Sequence, residues 1–278
     1  MTSPPRSPAD YNRLGGERHV LDSGALPGPA LAHVRVVLVR PSRPANVAAA
    51  CRALKNMGLR QCRTVGAAPM AFRDDERALA YGAWDVLDGI EPRGTLREAT
   101  ADCALVVGTS GREIPGSWSP RQMAEETGRL EPGAGLALVF GPEASGLTTD
   151  ELRLCHAIVH VPTDPAQPSL NLAQAVLLLA YELRLRALEA GEPAMPSTAA
   201  QGDGPATAGE LEDALDDLRG ALLAIGYLNP DAPEAILSEL RRLLARARPT
   251  GRETVLLRGL ARQVRWAGRI AKGEAGSG

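Results

Sequence analysis

Between Val34 and Pro162 the chain alternates two patterns. Short runs that are mostly apolar (Val34–Val39, Cys103–Ser110, Gly135–Gly141 and Ala157–Pro162), with Cys62–Ala67 as a further short strand-like run, are separated by stretches in which apolar residues return at every third or fourth place. A strand with one wet face alternates polar and apolar side chains, whereas a run without that alternation is buried on both faces. The pattern therefore predicts an α/β domain: a parallel sheet with helices on both faces. The helical stretches are Asn46–Met57, closed by Gly58, then 74–83, 119–128 and 148–155. In the last of these Thr148 and Glu151 have the spacing of a capping box. A final helix, Leu172 to about Leu188, is apolar round most of its circumference and is expected to be buried.

This domain spans residues 31–190. Residues 1–30, rich in Pro, Gly, Ser and Arg without periodicity, read as a flexible N-terminal tail, and 191–206 read as a linker. Residues 207–272 form a basic helical C-terminal domain. Three helix starts are expected there, at Thr207/Glu210, Asp231/Glu234 and Thr250/Glu253. Leu211, Leu215, Leu218, Leu222 and Ile225 mark one apolar stripe; Leu237, Leu240, Leu244 and Ala247 mark the next. Leu256, Leu260, Val264 and Ala267 mark the third. The last two helices are strongly basic: Arg241, Arg242, Arg246, Arg248, Arg252, Arg258, Arg262, Arg265, Arg269 and Lys272 face only Glu239 and Glu253 within the same stretch. That imbalance points to phosphate binding, against the plainer reading of a solvated helix face.

Composition narrows the classes. The 278 residues carry a formal charge of −2, so any nucleic-acid footprint is local. Four scattered cysteines (Cys51, Cys62, Cys103, Cys155) without a C-x-x-C give neither a disulfide framework nor a zinc knuckle. Cys155, His156 and His160 lack a fourth ligand, so no metal is expected. No run reaches the roughly 18 apolar residues of a membrane span, and a reducing cytoplasmic setting is expected.

Candidate chemistry sits where strands hand over to loops, the edge at which open α/β sheets bind ligands. One polar island is 40–59, where Asn46 is placed to cap the helix and Arg52, Lys55 and Asn56 lie away from its apolar side. A second is "FGPEASGL", with Gly141 at a strand end and Glu143 beyond it. A third is "VPTDPAQPSLNLAQAV", where Pro162, Pro165 and Pro168 stiffen a loop that ends in Ser169-Leu170-Asn171 at a helix start. Taken alone, that ending reads as an N-cap. "VVGTSGR" adds Thr109, Ser110 and Gly111. There is no G-x-G-x-x-G after the first strand, no P-loop and no G-x-S-x-G, so the dinucleotide, nucleotide-triphosphate and hydrolase readings lack their hallmark. What remains is backbone and small polar groups, suited to a nucleoside-like ligand without phosphates.

In this order, "ANVAAACRALKNMGL", "FGPEASGL" and "VPTDPAQPSLNLAQAV" resemble the three motifs of the SpoU/TrmH branch of the SPOUT methyltransferases, over about Val34 to Leu188. The match is closest to the TrmJ type, whose C-terminal helical extension the arginine-rich tail is similar to. The resemblance implies a deep C-terminal trefoil knot, an exception to the rule against threading. It also implies S-adenosylmethionine as cofactor, a homodimer that completes each active site, and 2′-O-methylation of RNA. For the TrmJ type the target is the pyrimidine at position 32 of the tRNA anticodon loop. Alternatives are ribosomal RNA, another tRNA position, or a non-catalytic RNA-binding scaffold.

Carried over by motif, the catalytic residues are Arg52, Asn46, Ser169, Glu143 and Asn171. The cofactor would be held by Thr109, Ser110, Gly111, Gly141, Val161, Pro168, Ser169 and Leu170. RNA would be held by Arg43, Lys55, Arg242, Arg246, Arg258, Arg262 and Arg265. The family pattern has glycines beside the first asparagine, where this chain has Ala45 and Ala48. Arg52 is the family's proposed base, but a guanidinium does not ordinarily lose its proton, so stabilisation of developing negative charge is the expected role.

Overall fold

The computed structural model describes residues 31–66, 70–131, 133–190 and 204–271. The expected N-terminal tail, most of the expected linker and Lys272 lie outside the described residues.

Among the described residues six strands form one parallel sheet in the order β3-β2-β1-β5-β4-β6. β1 (Val34–Val39) lies near the middle, with β2 (Gln61–Val65) on one side and β5 (Leu136–Phe140) on the other. Val36 sits opposite both Cys62 and Leu138. β4 (Leu105–Ser110) and β6 (Ala157–His160) continue beyond β5. The apolar runs are explained by what each side chain meets. Val36 and Leu38 point into one core, shared with Val47, Leu54 and Leu179, while Val37 and Val39 point into another, shared with Leu96, Ala99 and Leu147.

β3 (Glu91–Arg93) was not foreseen: three exposed residues with a central proline carry no apolar signal, and only the sheet's edge tolerates them. The short helices α2 (Asp74–Ala78) and α3 (Trp84–Asp88) follow β2; the former takes up only the start of the stretch expected at 74–83, and the latter was not foreseen. Another unforeseen helix, α4 (Leu96–Thr100), precedes β4.

Helix α1 (Pro44–Asn56) starts two residues before the expected Asn46, because Pro44 is preorganised for a first helical position. Gly58, at φ +85°, ends it. Ala48 and Ala50 are fully buried, which lets α1 lie close against the last helix of the domain, α7 (Leu172–Glu189). Two further helices complete the layers: α5 (Pro120–Thr127), and α6 (Thr149–Arg153) with the predicted Thr148–Glu151 capping box.

The C-terminal unit consists of α8 (Ala208–Ala224), α9 (Glu234–Ala247) and α10 (Gly251–Ala271). Thr207 with Glu210 and Thr250 with Glu253 form capping boxes as expected. Asp231 does not cap: its N–H is taken by Asn229, and Pro233 stands at the N-cap of α9.

The expected stripe on α10 is also turned round. Leu256 and Leu260 are 66% and 57% exposed, while Thr254, Ala261 and Gly268 face inward. Small residues win that face because α8 lies too close for leucine: a Cβ on Gly268 would stand 3.0 Å from Ile225.

This unit docks at the amino edge of the sheet. Gly209 N–H donates to the Ala101 carbonyl at 3.0 Å, and Arg97 donates to Asp213 and Asp216. Arg248, in the left-handed region at φ 49°, donates to Glu126 Oε2 and to the Arg129 carbonyl. A cavity of about 490 Å³ separates the two parts, lined among others by His156, Leu211, Leu244 and Arg248.

Candidate active site

The polar islands gather at the opposite, carboxyl edge of the sheet. After β1 the chain proceeds to β2 on one side and returns through β4 on the other, so the β1 and β5 ends border the topological switch point. Asn46 occupies the first turn of α1 but does not cap it, since Arg43 and Pro44 already form the helix start. Its amide Nδ2 is free to donate to Glu143 Oε1 at 2.8 Å. Its Oδ1 accepts from Asn171 Nδ2 at 2.9 Å. Asn171 does cap α7, its Oδ1 accepting from Ala173 N–H at 2.9 Å. One side chain thus caps α7 through its Oδ1 and reaches Asn46 through its Nδ2.

Glu143 also accepts from Ser42, through the backbone N–H at 3.1 Å and the hydroxyl at 2.8 Å. A carboxylate thus stands at the N-terminal end of α1, where the helix dipole favours it. Burial pushes the Glu143 pKa up, but the hydrogen bonds from Asn46, its own backbone and Ser42 outweigh it, and the net value lies below the usual carboxylate range. The group is an anion at neutral pH and accepts rather than donates.

Gly141 is required by space. A Cβ there would stand 2.3 Å from the Gly146 carbonyl carbon and the Leu147 nitrogen, so the loop folds back onto its own backbone. Thr109 Oγ donates to the Val139 carbonyl at 3.1 Å, tying the ends of β4 and β5. The Ser110 hydroxyl closes on Arg112, and Gly111 faces open space. Across the β6–α7 loop, Thr163 Oγ donates to the Pro168 carbonyl and Asp164 Oδ1 accepts from Ala166 N–H. Val161 packs at the rim of the core, while Pro168, Ser169 and Leu170 are exposed. The result is a shelf of exposed backbone and small polar groups above the Asn46–Glu143–Asn171 chain.

Arg40 and Ser42 lie inside the first polar island, but the sequence did not single them out. Arg40 sits in the left-handed region at φ 44° directly after β1 and forms a two-pronged bond to Glu151, the second prong 3.0 Å long. That pair ties the loop carrying Ser42, which leads into α1 and Asn46, to the start of α6, just beyond the Glu143 loop. The Arg40 hydrogen bond is the main reason that the Glu151 pKa is lowered. A serine two residues before a helix-opening proline was a legible signal; a left-handed arginine was not.

Arg52 is exposed and makes no hydrogen bond among the described residues, on a different strip of α1 from Asn46. Of the proposed RNA-binding residues, several are already engaged by carboxylates. Lys55 pairs with Asp85 at 2.6 Å, Arg242 with Glu239, and Arg258 and Arg265 both with Asp217 at 2.9 Å. Arg241 is buried in a two-pronged pair with Glu212 on α8. The basic helices therefore do meet acids, partly within their own stretch at Glu239 and partly on the neighbouring α8 at Glu212 and Asp217. Arg43, Arg246 and Arg262 are exposed and form no ion pair among the described residues. These partners also include no His/Cys/Asp/Glu group that could hold a metal, among the described residues.

A six-stranded parallel sheet with a polar shelf at its switch point, extended by a helical unit, defines an α/β domain with a C-terminal helical region. The chain belongs to the SpoU rRNA Methylase family, which it matches over residues 33–181. Residues 209–275 match the family described as tRNA methyltransferase TrmJ, C-terminal domain. The chain is 40% identical over 238 residues to the tRNA (cytidine/uridine-2'-O-)-methyltransferase TrmJ of Klebsiella pneumoniae, covering 84% of this chain and 97% of that protein. It is 41% identical over 253 residues to the tRNA (cytidine/uridine/adenosine-2'-O-)-methyltransferase TrmJ of Pseudomonas aeruginosa, covering 87% and 96%. Among solved structures, TrmJ from Z. mobilis superposes with a TM-score of 0.68 at 33% identity, covering 83% of this chain and 98% of that one.

Proposed function

We propose that the protein transfers the methyl group of S-adenosylmethionine to a ribose 2′-hydroxyl of tRNA, at the pyrimidine of position 32 in the anticodon loop. The observation that carries this reading is the unbroken chain Asn171→Asn46→Glu143, which locks three loops together under the shelf. The names of the relatives, tRNA 2'-O-methyltransferases matched over most of their length, support the same substrate class.

The shelf fits the cofactor. Gly141 lets the loop fold flat where any side chain would intrude, and the open space at Gly111 leaves room beside Thr109 and Ser110. Val161, Pro168, Ser169 and Leu170 present backbone groups on the facing side, suited to a purine edge. The bound cofactor supplies an activated sulfonium methyl. The chain's own task is then to align a ribose oxygen with that methyl and to manage one proton. Asn46 and Ser169 orient the reacting region, with Glu143 and Asn171 holding Asn46 in place. Arg52 binds the adjacent phosphate and stabilises charge developing on the oxygen, the proton leaving through phosphate or water.

Arg52 stands apart from Asn46 within one chain, which supports a homodimer in which each site is completed by the other copy. A trefoil knot at the β6–α7 connection belongs to the same reading. RNA contact falls to Arg43, Arg246 and Arg262, the members of the proposed set that no carboxylate holds among the described residues. Comparing Arg52→Ala with Arg52→Lys in a methyl-transfer assay tests the assignment. Loss of a charge-stabilising group costs about 10²–10³ in rate, and Lys is expected to recover little because it loses the fork. Full activity in both variants would remove Arg52 from the mechanism.

A further inference from the structure

Helix α10 has two faces with different chemistry. The inner one packs on α8 through Thr254, Ala261 and Gly268, and its arginines, Arg258 and Arg265, are held by Asp217. The outer one carries Trp266, 54% exposed, although the chain has only three tryptophans and two phenylalanines to build its cores. An indole left more than half outside forfeits the burial for which tryptophan is used in a core. Arg262 and Arg269 stand four residues before and three after it, so all three side chains share one line of the helix. Both arginines are exposed, and neither forms an ion pair among the described residues. The rise of the helix sets them roughly 10 Å apart with the indole between.

We propose that the Arg262–Trp266–Arg269 line is a contact surface for an unpaired nucleotide of the RNA. Trp266 stacks on the base, and the two guanidiniums hold phosphates on either side. The inference rests on the RNA-methylation reading above and adds to it a recognised nucleotide away from the reaction. Charge decides the occupant. Two free cations flanking a π-face fit a polyanion with exposed bases, whereas a second copy of this chain would bring the same cations against each other. The line also lies on the unit docked at the amino edge of the sheet, while the methyl-transfer shelf is at the carboxyl edge. Within one protomer the stacked nucleotide is therefore not the methylated one, and Trp266 governs affinity for the RNA rather than the chemical step.

The test uses the full chain and an unmodified tRNA transcript, with Trp266→Ala, Trp266→Phe and Arg262→Gln. Alanine removal of one stacked base costs roughly 5- to 150-fold in affinity. Trp266→Ala is expected to raise the KM for tRNA within that range and leave kcat and the KM for S-adenosylmethionine unchanged. Trp266→Phe keeps a stacking ring and is expected to recover most of the loss. Arg262→Gln is expected to flatten the dependence of log Kd on log salt by about one unit.

A tRNA KM within twofold of wild type in Trp266→Ala overturns the proposal. So does a change in sedimenting species in that variant, which would mean that a second copy covers the face. If wild-type protein methylates no RNA, the reaction reading fails, and the same comparison made on tRNA Kd still decides the stacking.

Discussion

Asn171 donates its side-chain amide to Asn46 Oδ1 at 2.9 Å, joining residues 125 positions apart in the chain. The direction of that bond has a consequence, because Asn46 passes its own amide on to the Glu143 carboxylate. An anion at the end accepts only, so Asn46 must turn its Nδ2 towards it and its Oδ1 towards Asn171. One carboxylate thereby fixes the rotamers of two amides and the relative position of three loops.

Asn46→Asp breaks this chain at its centre by placing a carboxylate against Glu143. A lost hydrogen bond to a charged group is worth about 1.5–3 kcal/mol. Methyl transfer is expected to fall by about 10- to 100-fold, with weaker cofactor binding by calorimetry. Unchanged turnover would show that the Asn46–Glu143 contact is dispensable.

Gly141→Ala is expected to abolish cofactor binding, since the new methyl would lie 2.3 Å from backbone atoms of Gly146 and Leu147. Neither partner is a flexible side-chain end, so the loop itself must open. Gly146→Ala serves as the contrast: no atom lies within 4 Å of its Cβ position, and its cost comes only from φ +67°. Titration of both variants with cofactor separates crowding from backbone strain.

Arg241 and Glu212 form a pair in which each residue is under a tenth exposed. Removing one partner of a buried pair costs about 3–5 kcal/mol. Glu212→Leu alone is expected to lower the unfolding midpoint strongly, and Glu212→Leu with Arg241→Met is expected to restore most of it. Urea melts of the two proteins check this; equal losses would mean that the pair itself is stabilising.

His156 is held neutral. Burial, then the charge of Arg241, push its pKa from 6.5 down to about 4, and its Nδ1 accepts from the Val106 N–H. Between those two values the unfolded chain binds the proton and the folded chain does not. Stability is therefore lost as pH falls through 6.5 towards 4. Between pH 7 and pH 5 this group is expected to remove about 2 kcal/mol. His156→Asn keeps an acceptor near the Val106 N–H without titrating, and its unfolding free energy is expected to vary less over the same range.

The sheet was legible because each central strand is buried on both faces, which leaves an apolar run that no helix of that length would need. β3 left no trace, since an exposed edge strand of three residues gains its place from β2 alone. Asn46 stood out in the sequence, but its hydrogen-bond partners did not. The sequence position says helix start, and only the packed loops show that Pro44 has released the side chain for Glu143. Arg40 was invisible for a related reason: its partner Glu151 is 111 residues away, and a left-handed arginine follows from the fold rather than from local preference. On α10 the leucine stripe misled because closeness to α8 selected small residues instead. Part of the arginine excess is neutralised from α8, by Glu212 and Asp217, which the basic stretch alone does not show.

The most direct test of the whole account is to incubate the protein with radiolabelled S-adenosylmethionine and an unmodified tRNA transcript, then map the labelled nucleotide. Label on the ribose of the pyrimidine at position 32, appearing about 10- to 100-fold more slowly with Asn46→Asp, is the expected result. Label on a base, or on no RNA at all despite measurable cofactor binding, would contradict it.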